Sequence, residues 1–329
     1  MSTVPLRTSM VPVSRKMRAY FARVERDTET PTIFDPGQSG KFALDSPPVP
    51  WVDLGWIENF ERGYETATTA VRNGAKALPT AQFRGALEAG VEFDFCEWGK
   101  LQMALAGGSE HMNVLAPADG GTSPAPSGGM PATAVAVLPG STANELIVGA
   151  GTVDSFPAGS LVAVDVDYQQ QSGYVGSAIA GAYVSSAVAV RQDPNYVRRV
   201  TFNVGRVAET TANSMLLAQP LLGGVPAIGA SVQRVVGFVD REGGSFFQEW
   251  SALFVAEEES GGRVCFYYPR LSARQAGKGV REQLAAIAKP LAILSLRASF
   301  TALPHVDEND GQPVLCYRSY FPAASAATY

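Results

Sequence analysis

Residues 82–95 read QFRGALEAGVEFDF, and the alternation within this stretch decides the fold class. Apolar side chains occupy the odd positions from 87 to 95. A period of two is typical of a β-strand with one buried face and one solvated face. The sequence therefore predicts a strand whose solvated face is acidic. The charged residues at even positions are Arg84, Glu88, Glu92 and Asp94.

A short amphipathic helix is predicted directly after this strand. Trp98, Leu101 and Leu105 recur at helical spacing, and Gly107-Gly108 supplies a stop. We expect this helix to pack on the sheet.

Strand signals continue on both sides of this unit. Residues 51–74 are rich in aromatic and β-branched residues and end at the turn pair Asn73-Gly74, which predicts a hairpin. Two further strands, at about 246–256 and about 263–268, flank the turn-forming run EEESGG. The run LAILSLRASFTALP and the segment after the Asp-Gly turn at 310–311 predict two more strands.

The middle of the chain has a different composition. Residues 117–131, PADGGTSPAPSGGMP, form a Pro, Gly and Ser linker. From 132 to 238 the chain is poor in charge and rich in Val, Ala and Gly, with short strand candidates between turns. The prediction is an inserted all-β barrel or sandwich at 117–238, within a mainly-β domain formed by 51–116 and 239–329.

Residues 1–50 are predicted to form an extended arm, because prolines and polar residues interrupt any period. The segment has too little apolar surface to order itself, so it must lie on its own domain or on a neighbouring subunit. We expect the second arrangement, in which removal of the arm prevents assembly. The expected subunit contacts are Tyr20, Phe21, Phe34 and Phe42.

The net charge and composition of the chain disfavour several classes of function. The net charge is −5 and no basic stripe is present, which disfavours tight binding to nucleic acid. Only 17% of residues are charged, against about a quarter in an average soluble domain, so copies of the chain are expected to cover part of the surface. No apolar stretch is long enough for a signal peptide or a membrane span, so export and membrane insertion are not expected.

No residue pattern predicts catalysis, a cofactor or a metal. Cys96, Cys265 and Cys316 are widely spaced and odd in number, which indicates reduced thiols in a protein made in the cytoplasm. His111 and His305 are too isolated for a metal site. Acidic runs that might hold calcium, including Asp165 with Asp167 and DENDG at 307–311, are also what turns require, and Glu92 with Asp94 fits a solvated strand face better than acid–base catalysis.

Several runs, taken in order, resemble the tail tube proteins of long-tailed bacteriophages of the siphophage type. The resemblance covers about 50–115 and about 240–329, but not 117–238. It implies a β-sandwich with a flanking α-helix, six copies closing into a ring, and rings stacking into a hollow conduit for DNA, with other tail proteins at its ends. The runs are WVDLGWIENF (51–60), VEFDFCEWGKLQMALAGG (91–108), FFQEWSALF (246–254), RVCFYYPRL (263–271), SFTALP (299–304) and DGQPVLCYRSYFP (310–322).

The acidic strand face agrees with that implication, because cationic side chains in a bore would bind phosphates at each ring. Glu88, Glu92 and Asp94 are therefore predicted to face the lumen, and the chain to be a virion component assembled in the host cytoplasm. The alternative is that they face solvent on an ordinary sheet.

Other function classes remain open beside this one. A surface-displayed carbohydrate-binding or adhesion protein is supported by the all-β module and by four tryptophans, although these also suit core or interface packing. A hydrolase would need a cleft and a carboxyl group with a raised pKa. Contractile tails use the same fold, so the type of tail is also open.

Overall fold

The computed structural model describes residues 17–25, 28–73, 78–116, 132–165, 201–241, 248–258, 261–274 and 296–323. Within these ranges the chain is mainly β, which confirms the predicted fold class. No helix in the same ranges has the length and apolar character needed to cross a membrane. In chain order the elements are β1 (Met17–Arg23), α1 (Pro36–Ser39), β2 (Val52–Asn73), β3 (Leu78–Phe95), α2 (Lys100–Gly107), β4 (Glu110–Leu115), β5 (Val135–Ala136), β6 (Glu145–Ile147), β7 (Leu161–Asp165), β8 (Val204–Thr210), β9 (Ser214–Leu217), β10 (Ser231–Arg241), β11 (Glu249–Glu257), β12 (Arg263–Ala273), β13 (Leu296–Leu303), β14 (His305–Val306), β15 (Pro313–Val314) and β16 (Tyr317–Phe321).

The chain divides into two compact units. The first comprises Met1–Gly108 and Gln248–Tyr329, and the second is Ser109–Phe247. The expected boundaries, after 116 and after 238, placed β4 in the first unit. They need correction because β4 pairs with β10 along its whole length, and both strands belong to the second unit.

Six strands of the first unit close into an antiparallel barrel. The order is β1, β2, β3, β13, β12 and β11, and β11 pairs back onto β1. One side of β12 pairs with two strands: its first half pairs with β16, and its last four residues pair with β13. Within the described residues the ring closes through the β11–β1 pairing, and β16 is the strand that joins this sheet from outside the ring.

Aromatic side chains fill the barrel. The Phe93 ring stacks on Phe300 at 5.7 Å between centroids and meets Phe254 edge-on at 5.2 Å. The predicted alternation in β3 holds from Ala89 to Phe95, where the odd positions are at most 2% exposed. It fails at Leu87, which is 49% exposed, because β3 leaves the barrel before that residue.

Residues 28–51 cover the outer face of β1, β11 and β12. The Tyr20 hydroxyl donates to the Leu44 carbonyl at 2.9 Å, and the Tyr267 hydroxyl donates to the Thr32 carbonyl at 2.9 Å. Phe34 packs against Trp51 and Tyr267 in this layer.

The expectation of an arm over residues 1–50 with contacts to another subunit is therefore wrong for most of the segment. Tyr20 and Phe21 are 0% exposed because β1 is a barrel strand between β2 and β11. Phe34 is 4% exposed, and Phe42 packs edge-on against Tyr20 at 5.1 Å. Residues 1–16 lie outside the described ranges.

The β2–β3 hairpin extends beyond the barrel. Strand β1 pairs only with residues 52–57 of β2, and β13 pairs only with residues 89–95 of β3. From Thr66↔Leu87 to Asn73↔Leu78 the two strands pair with each other and, among the described residues, with no other strand. We call residues 66–73 and 78–87 the ribbon.

The predicted helix after β3 is present as α2. It ends at Gly108, whose φ of 57° lies in the left-handed region that glycine adopts without steric cost. Leu101 and Leu105 are buried, and the helix packs against β13 and β12. Trp98 precedes the helix and is 45% exposed.

The described part of the second unit consists mainly of β-strands, with a 3-10 turn at Val153–Ser155. Its strands run in the order β4, β10, β7, β8, β9 and β6, and β5 also pairs with β10. The core contains Val162, Val164, Val232 and Met215, each 0% exposed. The candidate strand AVAVRQ at 187–192 lies outside the described residues.

Candidate functional site

The outer surface of β2 and β3 carries six carboxylates on neighbouring positions. Three cross-strand pairs bring them together: Glu58↔Asp94, Glu61↔Glu92 and Glu65↔Glu88. We call these six residues the acidic face.

A β-bulge in β2 sets this arrangement. Glu58 pairs with Asp94 and Glu61 with Glu92, so three steps along β2 match two along β3, and one residue is extra. At this bulge Asn59 has a φ of 51°, in the left-handed region that asparagine tolerates better than most residues. Its side-chain amide donates to Asp94 Oδ2 at 2.6 Å. The bulge turns both Glu58 and Glu61 outward.

Directly opposed carboxylates repel each other, which makes this face unfavourable for the isolated domain. Arg297 on β13 offsets part of that cost. Its guanidinium lies 2.9 Å from Glu92 Oε2, 3.4 Å from Asp94 Oδ1 and 3.9 Å from Glu61 Oε2. Glu65 and Glu88 lie beyond its reach, at the base of the ribbon.

A groove of about 370 Å³ separates the pair Glu61↔Glu92 from the pair Glu65↔Glu88. Gly63 and Gly90 face each other between the two pairs. A Cβ atom on Gly90 would lie 3.3 Å from Arg274 Nη2, so the missing side chain makes room for that guanidinium. Arg274 donates from Nε to Thr301 Oγ1 at 2.7 Å.

The structure brings the three predicted residues onto one face but exposes them unequally. Glu88 is exposed, the Glu92 side chain is 43% exposed, and Asp94 is only 8% exposed. The acidic face therefore presents mainly glutamates to solvent. Six carboxylates outnumber the two nearby guanidinium groups, those of Arg297 and Arg274, so the surface carries a net negative charge and repels polyanions.

Sequence reasoning missed the half of this face that lies on β2. Glu58, Glu61 and Glu65 are spaced by three and four residues, which resembles helical rather than strand periodicity. Bulges at Glu58/Glu61 and Thr66/Thr68 interrupt the period of two. The acidic strand opposite was the available signal, since a hairpin partner of that strand must share its solvated face.

The structure also locates other residues that the sequence offered as candidates for a site. Asp307 begins a turn in which its Oδ1 accepts from the Asn309 backbone amide at 2.8 Å, so the run at 307–311 forms the predicted turn. Trp51 and Trp250 are 5% and 4% exposed, so neither offers a ring face to a sugar. Within the described ranges no three His, Cys, Asp or Glu residues are grouped as metal ligands. Asp167 and the side chain of His111 lie outside the described part.

In comparisons with known proteins, no family model and no curated protein matches this chain.

Proposed function

We propose that this chain is a structural subunit that assembles into hexameric rings, stacked as a phage tail tube through which DNA passes during ejection. The observation that carries the proposal is the ribbon. Two paired strands that extend beyond their barrel have backbone groups along both edges that can pair with a strand of another copy.

Exposed apolar side chains at the base of the ribbon also support contact with another copy. Tyr64 and Leu87 are 51% and 49% exposed, although they continue the face that Val91 and Phe93 bury inside the barrel. Large apolar side chains at the end of a core face favour a protein partner over water. A second copy suits this surface, because only 17% of the chain's residues are charged.

The acidic face supports the passage of DNA. A bore lined by Glu61, Glu65, Glu88 and Glu92 stays net negative even with Arg274 in the groove between them. DNA would therefore release few counterions there and would not be retained. Carboxylates directly opposite one another lower the stability of the free subunit. Repulsion of a polyanion is a function that would account for this arrangement.

Assembly does not follow from open barrel edges. The resemblance implies that six copies close into a ring, but the barrel itself needs no second copy, because it closes within one subunit. In the described part of the first unit, the strand edges available for pairing between copies include those of the ribbon and the outer side of β16.

The remaining parts of the proposal follow from the resemblance. Other tail proteins would contact the two ends of the tube, the protein would reside in the virion after assembly in the host cytoplasm, and DNA would pass without specific binding. The proposal assigns no catalytic residue, cofactor or metal. It leaves open whether the tail is contractile.

The test is the association state of the purified chain. Sedimentation velocity over a hundredfold range of concentration, followed by negative-stain microscopy, should show growth into rings or tubes with an open centre. A single monomeric species at every concentration would contradict the proposal. A monomer that also bound a glycan array would favour the surface-displayed carbohydrate-binding alternative.

A further inference from the structure

Strand β16 has one side that no described strand occupies. It pairs with β12 from Tyr317↔Tyr267 to Phe321↔Arg263, and it is the last strand in the order of its sheet. An open side of a strand can accept a further strand through backbone hydrogen bonds. The described part of the first unit therefore has an edge that can receive a strand, as well as a ribbon that can offer one.

The two edges of the ribbon are not equivalent. Two register shifts each place an extra residue on β3: two steps along β2 beyond Thr66 match three along β3, and one step beyond Val71 matches two. Bulges and proline disfavour pairing at an edge, and β3 also carries Pro79, which has no backbone N–H. Residues 66–73 of β2 contain neither proline nor glycine. We call their open side the ribbon edge.

We propose that the ribbon edge of one copy pairs with the outer side of β16 of the next copy. Because this contact supplies the acceptor for the ribbon, it rests on the assembly function proposed above. Within the described residues, the ribbon and β16 of one chain do not pair with each other, so each remains open to another copy.

Symmetry favours β16 over a second ribbon as the acceptor. If the ribbon edges of two copies paired with each other, the contact would be isologous, and a dimer would use up both edges. Pairing of a ribbon edge with β16 is heterologous, so a chain of copies keeps one open ribbon edge and one open β16 at its ends. Such contacts close into a ring when the rotation between copies allows it. Of the two contacts, the heterologous one builds rings of six by itself.

The test identifies the neighbour of β16 by photo-cross-linking. The full chain with Ser319→p-benzoylphenylalanine is made at natural isotope abundance and mixed with an equal amount of unmodified chain labelled uniformly with ¹⁵N. The mixture is irradiated under assembly conditions and digested with trypsin, and linked peptides are identified by mass spectrometry. A link between light and heavy peptides then joins two copies.

Trypsin separates the two strands of the ribbon, because it releases residues 63–72 from β2 and residues 77–84 from β3. We expect the light peptide that begins at residue 319 to be linked to heavy and light 63–72 in about equal amounts. Glu209→p-benzoylphenylalanine, at an exposed position of the second unit, is the matched control and should give no link to either ribbon peptide.

A second measurement uses a chain that can accept a ribbon but cannot offer one. Replacing residues 67–86 with Asn-Gly removes the ribbon edge and keeps β16. An excess of this protein, mixed with unmodified chain before assembly, should lower the fraction of unmodified chain that sedimentation velocity finds in assemblies. If ribbons pair with ribbons, the shortened protein does not join, and an unchanged fraction overturns the inference.

The outcomes separate this inference from the tube proposal. Links to heavy 63–72 in dimers or short oligomers, without rings, support the inference and remove the tube proposal. Rings or tubes in which residue 319 links elsewhere, or only to light 63–72, overturn the inference and leave the tube proposal standing. Monomers at every concentration without links between copies overturn both.

Discussion

Arg297 is the residue on which the acidic face depends most. It lies within 4 Å of three carboxylates, of which Asp94 is nearly buried. Removing one partner of a part-buried ionic group leaves the others uncompensated, which costs more than the intact group contributes.

Replacing Arg297→Met should lower the free energy of unfolding by about 1–2 kcal/mol, because Asp94 and Glu92 lose their cation while the side-chain volume is kept. Urea denaturation measures this change. Arg318→Met, an exposed arginine on β16, is the control and should cost less than about 0.5 kcal/mol. Adding Glu92→Gln to the Arg297→Met protein should recover part of the loss. Equal unfolding free energies for the two arginine variants would contradict this account of the face.

The reactivity of the Cys265 thiol tests whether residues 28–51 cover the outer face of β1, β11 and β12. It is 1% exposed, and burial raises the pKa of its thiol to about 12, although Arg263 opposes the shift. At pH 8 the thiolate fraction is then on the order of 1 in 10,000. Iodoacetamide should therefore leave Cys265 unmodified in the native protein and modify it in urea, as mass spectrometry of peptides would show. Alkylation of native Cys265 as fast as Cys96, which is partly exposed, would mean that residues 28–51 do not cover this face.

Among the strands of the first unit, the ribbon is the part that we expect to be needed for assembly but not for folding of the barrel. Its strands contribute no pairing to the barrel, since β1 and β13 contact β2 and β3 only nearer the core. The ribbon can therefore be shortened without removing a barrel strand.

Replacing residues 67–86 with Asn-Gly should give a folded barrel that no longer assembles. Thr66 and Leu87 already pair, and Asn-Gly is the preferred two-residue connection for such a hairpin. Near-ultraviolet circular dichroism should be unchanged, whereas sedimentation velocity should show a monomer. The matched control replaces only residues 74–77, GAKA, with Gly-Ser-Gly-Ser and should assemble normally. Assembly of the shortened protein at wild-type concentrations would show that the ribbon does not join subunits.

Strands and helices whose apolar residues recur at regular spacing were predictable from the sequence. Elements in which that spacing is interrupted were not. Strand β3 from Ala89 to Phe95 and helix α2 have regular patterns ending in clear stops. Strand β1, MRAYFAR, was missed because it lies in a Pro-rich and polar segment, and its burial depends on partners more than 200 residues away. Half of the acidic face was missed because bulges broke the period of β2, and Arg297 could be placed beside it only through long-range pairing.

For the whole molecule, the two-unit division predicts that the second unit is dispensable. Joining Gly108 to Gln248 through a short Gly/Ser linker removes residues 109–247 and leaves every barrel strand intact. This protein should unfold cooperatively and assemble like the full chain.

Joining Leu115 to Asp240 instead gives a contrasting variant. It keeps β4 but removes most of its partner β10, so the edge of β4 becomes unpaired and the protein should aggregate more readily. Light scattering at matched concentrations compares the two junctions. If the Gly108–Gln248 protein folds but does not assemble, the second unit is part of the assembly.

The central claim is that this chain builds a hollow tube with the acidic face inside. A cryo-electron microscopy reconstruction of the assembled protein tests it most directly. The account predicts stacked rings of six subunits, with Glu88 and Glu92 exposed to the bore and Asp94 beneath them. A tube with these carboxylates on its outer wall, or only unassociated subunits at every concentration, would contradict it.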